Sequence, residues 1–331
     1  MVLYDRPSGK HNGEQSSNYV GFNMRAFYLF VSHQLTDKVS IEAQPEFAAT
    51  SGAKPRFGYP IAKKTDASTI EPEFFGFNRA QMTVTLPKEY ELSFGIVKPR
   101  MSWDYGAELF WEDQLNTGKF TLSGISVLHD TGIELYKNFE LGKLSLPTYV
   151  YVLNGGYEFN DNNNQPAFMA TVEPELGALK FKGSLYYDKY DKDAKLASMK
   201  VLGGIAFEKG PFALRAEGGM GTWENRVVNM AKDSSITLSD GKPKGFYAKL
   251  FYRITPWCRA LFHYDYMNND HSGWTPGSEK FTTLSPALLF SVANSSTIMV
   301  QYDIADWKRV KSGKEDLIKF NRLTVGWRTT F

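Results

Sequence analysis

The chain has 331 residues, a formal net charge of +2 and a hydrophobic fraction of 42%, with a mean hydropathy of −0.36. No apolar run approaches the roughly 20 residues that a membrane-crossing helix needs, so a helical membrane protein is excluded. The near-neutral charge supplies no strong basic field, which argues against nucleic acid as a partner.

The first residues, Met1-Val-Leu-Tyr-Asp-Arg-Pro, show no basic stretch followed by an apolar one. An exported protein with this start is expected to have had its signal peptide removed. Alternation with period two begins at Val20, Phe22, Met24, Ala26, Tyr28 and Phe30, opposed by Gly21, Asn23 and Arg25. It resumes after Thr36-Asp37-Lys38 with Val39, Ile41 and Ala43 against Ser40, Glu42 and Gln44. Ala80, Met82, Val84 and Leu86 oppose Arg79, Gln81 and Thr83, and Leu92, Phe94 and Ile96 oppose Glu91, Ser93 and Gly95. The same period returns at Ile133, at Leu179–Tyr187, at Phe246–Arg253 and at Arg259–Asp265.

The connections alternate in length. Short ones fall near 36–38, 87–89, 139–143, 175–178, 209–210, 255–257 and 293–295. Long polar ones fall near 50–73, 100–129, 155–165, 189–195, 222–243, 268–280 and 306–317. Tight turns on one side and loops on the other describe an up-and-down transmembrane antiparallel β-barrel. A Greek-key sandwich would scramble that order. Such a barrel averages to a soluble-looking hydropathy, because apolar lipid-facing residues alternate with polar lumen-facing ones. Fifteen strands are countable from about Asn18 to Phe331. An even number requires one more, for which Val2-Leu3-Tyr4-Asp5 is the candidate, giving about 16 strands in a single domain over 1–331. The 18 Tyr, 24 Phe and 7 Trp suit aromatic girdles at two membrane interfaces, and the lone Cys258 permits no internal disulfide.

Leu323, Val325, Trp327, Thr329 and Phe331 share one face of the last strand. This ending resembles the terminal strand of outer-membrane barrels, whose final aromatic is read by the barrel assembly machinery, and makes Phe331 the expected assembly signal. Three further stretches are Phe94-Gly-Ile-Val-Lys98-Pro-Arg100, His129-Asp-Thr-Gly-Ile-Glu-Leu135, and Tyr151-Val-Leu-Asn-Gly155 with Ala167-Phe-Met-Ala-Thr-Val-Glu-Pro174. Across 94–174 the sequence resembles the phosphate-selective porin family of the outer membrane, the O and P type. The resemblance implies 16-stranded channels, usually homotrimers in outer-membrane lipid, that pass small hydrophilic solutes or anions and fold their third long loop inward. Here that loop is 100–129, which carries Trp103, Tyr105, Phe110 and Trp111.

A pore selects by the charge and width of its narrowest region. Parity puts Arg25, Arg79, Lys180, Lys182, Lys200, Arg215, Lys249, Arg253, Arg259, Arg322 and Arg328 on the lumen. The lumenal acids are Glu42, Glu46, Glu91, Glu134, Glu173, Glu217, Asp265 and Asp303, an excess of three cations before the loop is counted. The loop region contributes Lys98, Arg100 and Lys119 but also Asp104, Glu108, Glu112 and Asp113. Lys180, Lys182 and Lys200 suggest a short row, and no longer ladder is visible, so the expectation is a weakly anion-preferring channel. Ion pairing across the wall competes with that reading for many of these charges. Gly95, Gly132 and Gly183 are candidates for close strand approach or loop docking.

No enzyme, cofactor or metal reading gathers support. Asp130-Thr131-Gly132 matches the aspartic-protease triplet, but that chemistry needs paired carboxylates and only one copy is present. A barrel lipase needs Ser and His together on the outer face, whereas His263 is expected inside beside Asp265. Asp161 among Asn160, Asn162, Asn163 and Asn164 lacks the spacing of a calcium loop. The alternative to a porin is a barrel serving as scaffold or sleeve for a lipoprotein or redox partner.

Overall fold

The computed structural model describes residues 2–11, 14–15, 21–24, 27–28, 30–48, 59–60, 74–104, 120, 125–127, 130–155, 165–189, 196–230, 236–269, 278–293, 296–311 and 314–329. The first strand is β1 (Val2–His11). The second, β2, comprises Gly21–Met24, Phe27–Tyr28 and Val31–Thr36. Next come β3 (Val39–Ala48), β4 (Phe74–Leu86), β5 (Tyr90–Val97), β6 (Asp130–Leu141) and β7 (Leu144–Leu153). Strand β8 consists of Ala167–Val172 and Glu175–Leu176, followed by β9 (Leu179–Lys189), β10 (Ala197–Lys209) and β11 (Phe212–Met230). Strand β12 joins Ile236–Gly241 to Lys244–Thr255, and β13 (Cys258–Asn269), β14 (Glu279–Ala293), β15 (Ser296–Lys311) and β16 (Lys314–Thr329) complete the series.

All belong to one antiparallel sheet. Each strand pairs with the next, and β1 pairs with both β2 (Val2↔Met24) and β16 (Leu3↔Gly326 through His11↔Ile318). The ring therefore closes, with the N-terminal candidate Val2–Asp5 inside β1 as the missing strand. Closure is what lets a sheet satisfy its backbone groups without an exposed edge. No helix among the described residues is long and apolar enough to cross a membrane.

Alternation becomes two faces. In β8, Ala167, Met169 and Thr171 are buried while Phe168, Ala170 and Val172 are exposed. In β9, Lys182, Ser184, Tyr186 and Asp188 are buried while Phe181, Leu185 and Tyr187 point out. A soluble sandwich would bury the apolar set. Here large apolar side chains cover the outside, as lipid demands, and polar ones line the inside.

Two of the long connections are shorter than the sequence indicates. Strand β11 runs on to Met230 and pairs back with Ile236, and β15 continues to Lys311, directly opposite Lys314. Segments 222–243 and 306–317 are thus mostly ribbon. Polar side chains there resemble a loop by composition, but backbone pairing needs no apolar face once a hairpin leaves the membrane. Gly95 and Gly132 stand opposite each other in register. A Cβ would lie 2.2 Å from Ala80 O at Gly95 and 2.3 Å from Val152 O at Gly132, so β4 approaches Gly95 and β7 approaches Gly132 as only glycine allows. Gly183 differs: the nearest atom to its Cβ would be Val172 Cγ2 at 3.7 Å, an ordinary contact that any small side chain could make.

Candidate functional site

Between β5 and β6 the described residues are 98–104, 120 and 125–127. Their apolar members, Met101, Phe120, Ile125 and Val127, join Val97, Tyr149, Tyr151, Leu153, Ala167, Met169, Tyr186, Leu202 and Tyr247 in one buried cluster. The wall residues of that cluster lie on β5, on β7 to β10 and on β12. These described residues therefore pack against the inside of the barrel.

Polar contacts fix this packing. Glu217 on β11 is the hub, 2% exposed. Its carboxylate accepts from Ser102 Oγ at 2.6 Å, from Trp103 N at 2.9 Å and from the Tyr247 hydroxyl at 2.5 Å. Lys182 Nζ stands 3.8 Å from Glu217 and 2.9 Å from Glu173, and 5.1 Å from the centre of the Trp103 ring. Asp104 makes a buried ion pair with Lys249. The Phe120 N–H donates to Asp265 Oδ1 at 3.1 Å. Met101 O accepts from Ser184 Oγ at 3.1 Å, and Arg100 N donates to the Tyr151 hydroxyl at 3.1 Å. Each contact satisfies a buried polar group that would otherwise cost about 1–3 kcal/mol.

The fit rests on three glycines that the sequence pattern did not single out. A Cβ at Gly204 would lie 2.9 Å from Trp103 Cζ3, one at Gly219 3.2 Å from Ile125 Cγ2, and one at Gly245 3.0 Å from Phe120 Cδ2. They sit on β10, β11 and β12, and each leaves room on the inner wall for one side chain of the connection. The doublets Gly203-Gly204 and Gly218-Gly219 inside strands were the available signal.

The cations named from parity divide into several groups. Lys182 and Lys249 are consumed by the buried pairs just described. Arg79 pairs with Glu42 at 2.8 Å and Arg322 with Asp303 at 2.9 Å. Lys180 lies toward the turn end, its side chain 52% exposed, and pairs with Glu175 at 2.8 Å. Lys200 is buried with its Nζ 4.5 Å from the centre of the Tyr186 ring. Because Lys182 stands opposite Gly204, Lys200 lies four residues away along β10, roughly 13 Å at strand rise. The supposed row of Lys180, Lys182 and Lys200 is therefore broken by spacing and by acid partners. Arg253 and Arg259 are opposite each other near the turn at 256–257, with Arg259 over Phe251 at 5.2 Å. Arg215 is half-buried on β11, and Lys98 is buried. Arg100 keeps 33% of its side chain exposed, 3.9 Å from Glu173 and 5.1 Å from the Tyr149 ring centre. Tyr149 in turn stacks between Tyr136 at 4.7 Å and Tyr151 at 6.4 Å. Arg25, Glu108 and Phe331 lie outside the described residues, as do the side chain of Arg328 and the tip 160–164.

The protease-like triplet has a structural role. Asp130 accepts from its neighbour Thr131 N at 2.8 Å and from Gly155 N at 3.1 Å, while Asn154 N donates to Thr131 O at 2.8 Å. This ties the start of β6 to the end of β7. His263 and Asp265 are both buried on the inner face. No cluster suited to a metal ion occurs among the described residues.

No family model matches this sequence, and no curated protein matches it. Solved structures do resemble it. In-vitro folded OmpT, an outer membrane protein of Vibrio cholerae in trimer form, superposes with a TM-score of 0.60 at 12% identity, covering 100% of this chain and 98% of its own. The anion-selective porin of Comamonas acidovorans gives 0.59 at 9% identity over 98% and 99%. The outer membrane channel DcaP of Acinetobacter baumannii gives 0.58 at 11% over 99% and 96%. At these identities the likeness shows a shared porin-like barrel fold.

Proposed function

We propose that the chain is an outer-membrane porin through which small hydrophilic solutes and ions diffuse passively, and that it carries no catalysis. The observation that carries this reading is the Glu217 hub. A carboxylate on the barrel wall receives the Ser102 hydroxyl and the Trp103 N–H, which come from residues 102–103 packed inside the ring. A closed barrel narrowed from within by its own chain is the arrangement a size-limited passage needs. In this reading residues 100–129 form the constriction, in a single domain over 1–331.

The fold likeness to a channel of Acinetobacter baumannii and an anion-selective porin of Comamonas acidovorans supports the same reading. A weak anion preference follows from Arg100, which stays half-exposed where Lys182 and Lys249 are paired and buried. Strict phosphate selectivity is not part of the proposal, because the lysine row it would need is interrupted. Assembly as a homotrimer in outer-membrane lipid completes the reading. A sleeve for a threaded partner fits less well, since the connection fills part of the space that partner would use.

The test is reconstitution into planar bilayers. Stepwise ohmic conductance is expected, and deletion of residues 103–116 enlarges each step. Folded protein that never conducts, or a deletion without effect, refutes the mechanism.

A further inference from the structure

The outward face of β12 to β15 carries two features at fixed separation. Near the loop end, Lys244, Asn268, Lys280 and Lys308 stand side by side in register across four consecutive strands. Lys244 is exposed and Lys280 half-buried, and Lys308 keeps 40% of its side chain exposed. Lys319 on β16, 62% exposed, extends the basic group. Two acids share this face: Glu315 pairs with Lys308, and Asp306 lies 3.8 Å from Lys319. The cations outnumber them.

Six residues further toward the turn end on each of the same strands lies an apolar row, Leu250, Phe262, Pro286 and Tyr302. With Leu288 and Ala260 these side chains line a groove of about 440 Å³ on the outer surface. Pro286 makes the depression. It has no N–H to donate, the pairing of β14 with β15 is interrupted between Leu284↔Ile304 and Ala287↔Gln301 while the register stays the same, and the short Pro286 and Ala260 side chains are ringed by longer ones. Between row and groove the outward residues include Phe246, Tyr264, Leu284 and Ile304, an apolar track topped by Phe246 packed 5.6 Å from Tyr264 and 5.7 Å from Tyr266.

Six residues of strand span roughly 20 Å, which at the usual tilt of about 40° is roughly 15 Å of depth. That is about half of a 30 Å hydrocarbon core, the depth of one leaflet. We propose that this face holds a lipid of the loop-side leaflet, its phosphate-bearing headgroup on Lys244, Lys280 and Lys308 and an acyl chain lying down the track into the Pro286 groove. The charge complements a phosphorylated headgroup, and the apolar depression continues directly from it at the length of one chain. Such a site would anchor the barrel's height and rotation in its membrane.

The inference needs only the barrel, not the conductance. Detergent-solubilised, refolded protein is titrated with dimyristoyl phosphatidic acid and, in parallel, with dimyristoyl phosphatidylcholine, and bound lipid is counted by native mass spectrometry. Phosphatidic acid is expected to be retained preferentially at low salt. The triple variant Lys244→Gln, Lys280→Gln, Lys308→Gln should lose that preference, with binding weakened about tenfold. Ala260→Trp, which fills the groove, should weaken both lipids alike. Folding of each variant is verified by heat-modifiable migration on gels. Equal retention of the two lipids, or an unchanged triple variant, overturns the site. So does efficient cross-linking of Leu288→Cys between two copies, which would make this face a subunit interface. Bilayer conductance read on the same variants is expected to match the parent, because the substituted residues face outward; a parent that binds lipid but never conducts would refute the porin reading and leave this site standing.

Discussion

The indole of Trp103 lies over Gly204, so that a Cβ at that glycine would stand 2.9 Å from Trp103 Cζ3 and 2.8 Å from Glu217 Cγ. Carbon atoms pack at about 3.5–4.0 Å; Glu217 is buried and held by its hydrogen bonds, so the half-buried Trp103 is the neighbour that must give way. Gly204→Val should therefore lift Trp103 off the wall and loosen the segment it belongs to. In bilayers the conductance of each step rises, while Gly183→Ala, whose nearest neighbour would be 3.7 Å away, leaves it at the parent value.

Glu217 offers a second way to release the same segment, through charge instead of shape. Glu217→Ala deprives the Ser102 hydroxyl, the Trp103 N–H and the Tyr247 hydroxyl of their acceptor. Each donor left buried without a partner costs about 1–3 kcal/mol, so exposure becomes the cheaper state. Trypsin should then cut after Arg100 in folded protein at least several times faster than in the parent, with noisier open-channel current. Glu217→Gln keeps one acceptor oxygen and falls between the two. Unchanged cleavage in Glu217→Ala would mean the apolar cluster alone holds the segment.

The barrel was legible because period two is written residue by residue: Phe181, Leu185 and Tyr187 had to face one way and Lys182, Ser184 and Tyr186 the other. Tight turns were legible for the same reason, since they interrupt the period. The ends of β11 and β15 were not, because a ribbon in water alternates polar with polar. The interior defeated parity more deeply. Parity assigns Lys182, Lys249 and Glu217 to the inside correctly, but which acid meets which base depends on how 98–104 crosses to β9, β11 and β12, with Ser102 and Glu217 separated by 115 residues of chain and Asp104 and Lys249 by 145. The seats at Gly204, Gly219 and Gly245 escaped for a related reason. A strand glycine signals close approach by something, and only the fold says by what.

Asp130 tests whether the start of β6 is tied down by its carboxylate. One oxygen holds Thr131 N and the other Gly155 N, at 2.8 and 3.1 Å. Asp130→Ala removes both acceptors, and the loss should be about 1–3 kcal/mol. Reversible urea unfolding in lipid vesicles reads this as a lower midpoint with an unchanged slope. Asp130→Asn retains an acceptor for one of the two N–H groups and should recover part of the loss. If both variants unfold with the parent, the tie contributes nothing and the strand entry is held by pairing with β5 and β7 alone.

Selectivity should follow exposure rather than the count of cations. Lys182 is 1% exposed at its side chain and shared between two acids, and Lys249 is 2% exposed and paired with Asp104. A permeating ion sees such pairs as nearly neutral. Arg100, 33% exposed and at 3.9 Å from Glu173, presents more of its charge. Two unit charges 4 Å apart in water interact by about 1 kcal/mol, so removing this one should shift the anion-to-cation permeability ratio by up to about fivefold, and by less as salt rises. Zero-current potentials across a potassium chloride gradient should move toward the cation side in Arg100→Ala. Lys249→Ala behaves differently: it strands Asp104 in the interior, so its first effect is on folding yield and segment docking, with any change in selectivity following from those. If Arg100→Ala leaves the potential unmoved at low salt, the charge that sets selectivity lies elsewhere on the passage and the assignment of Arg100 fails.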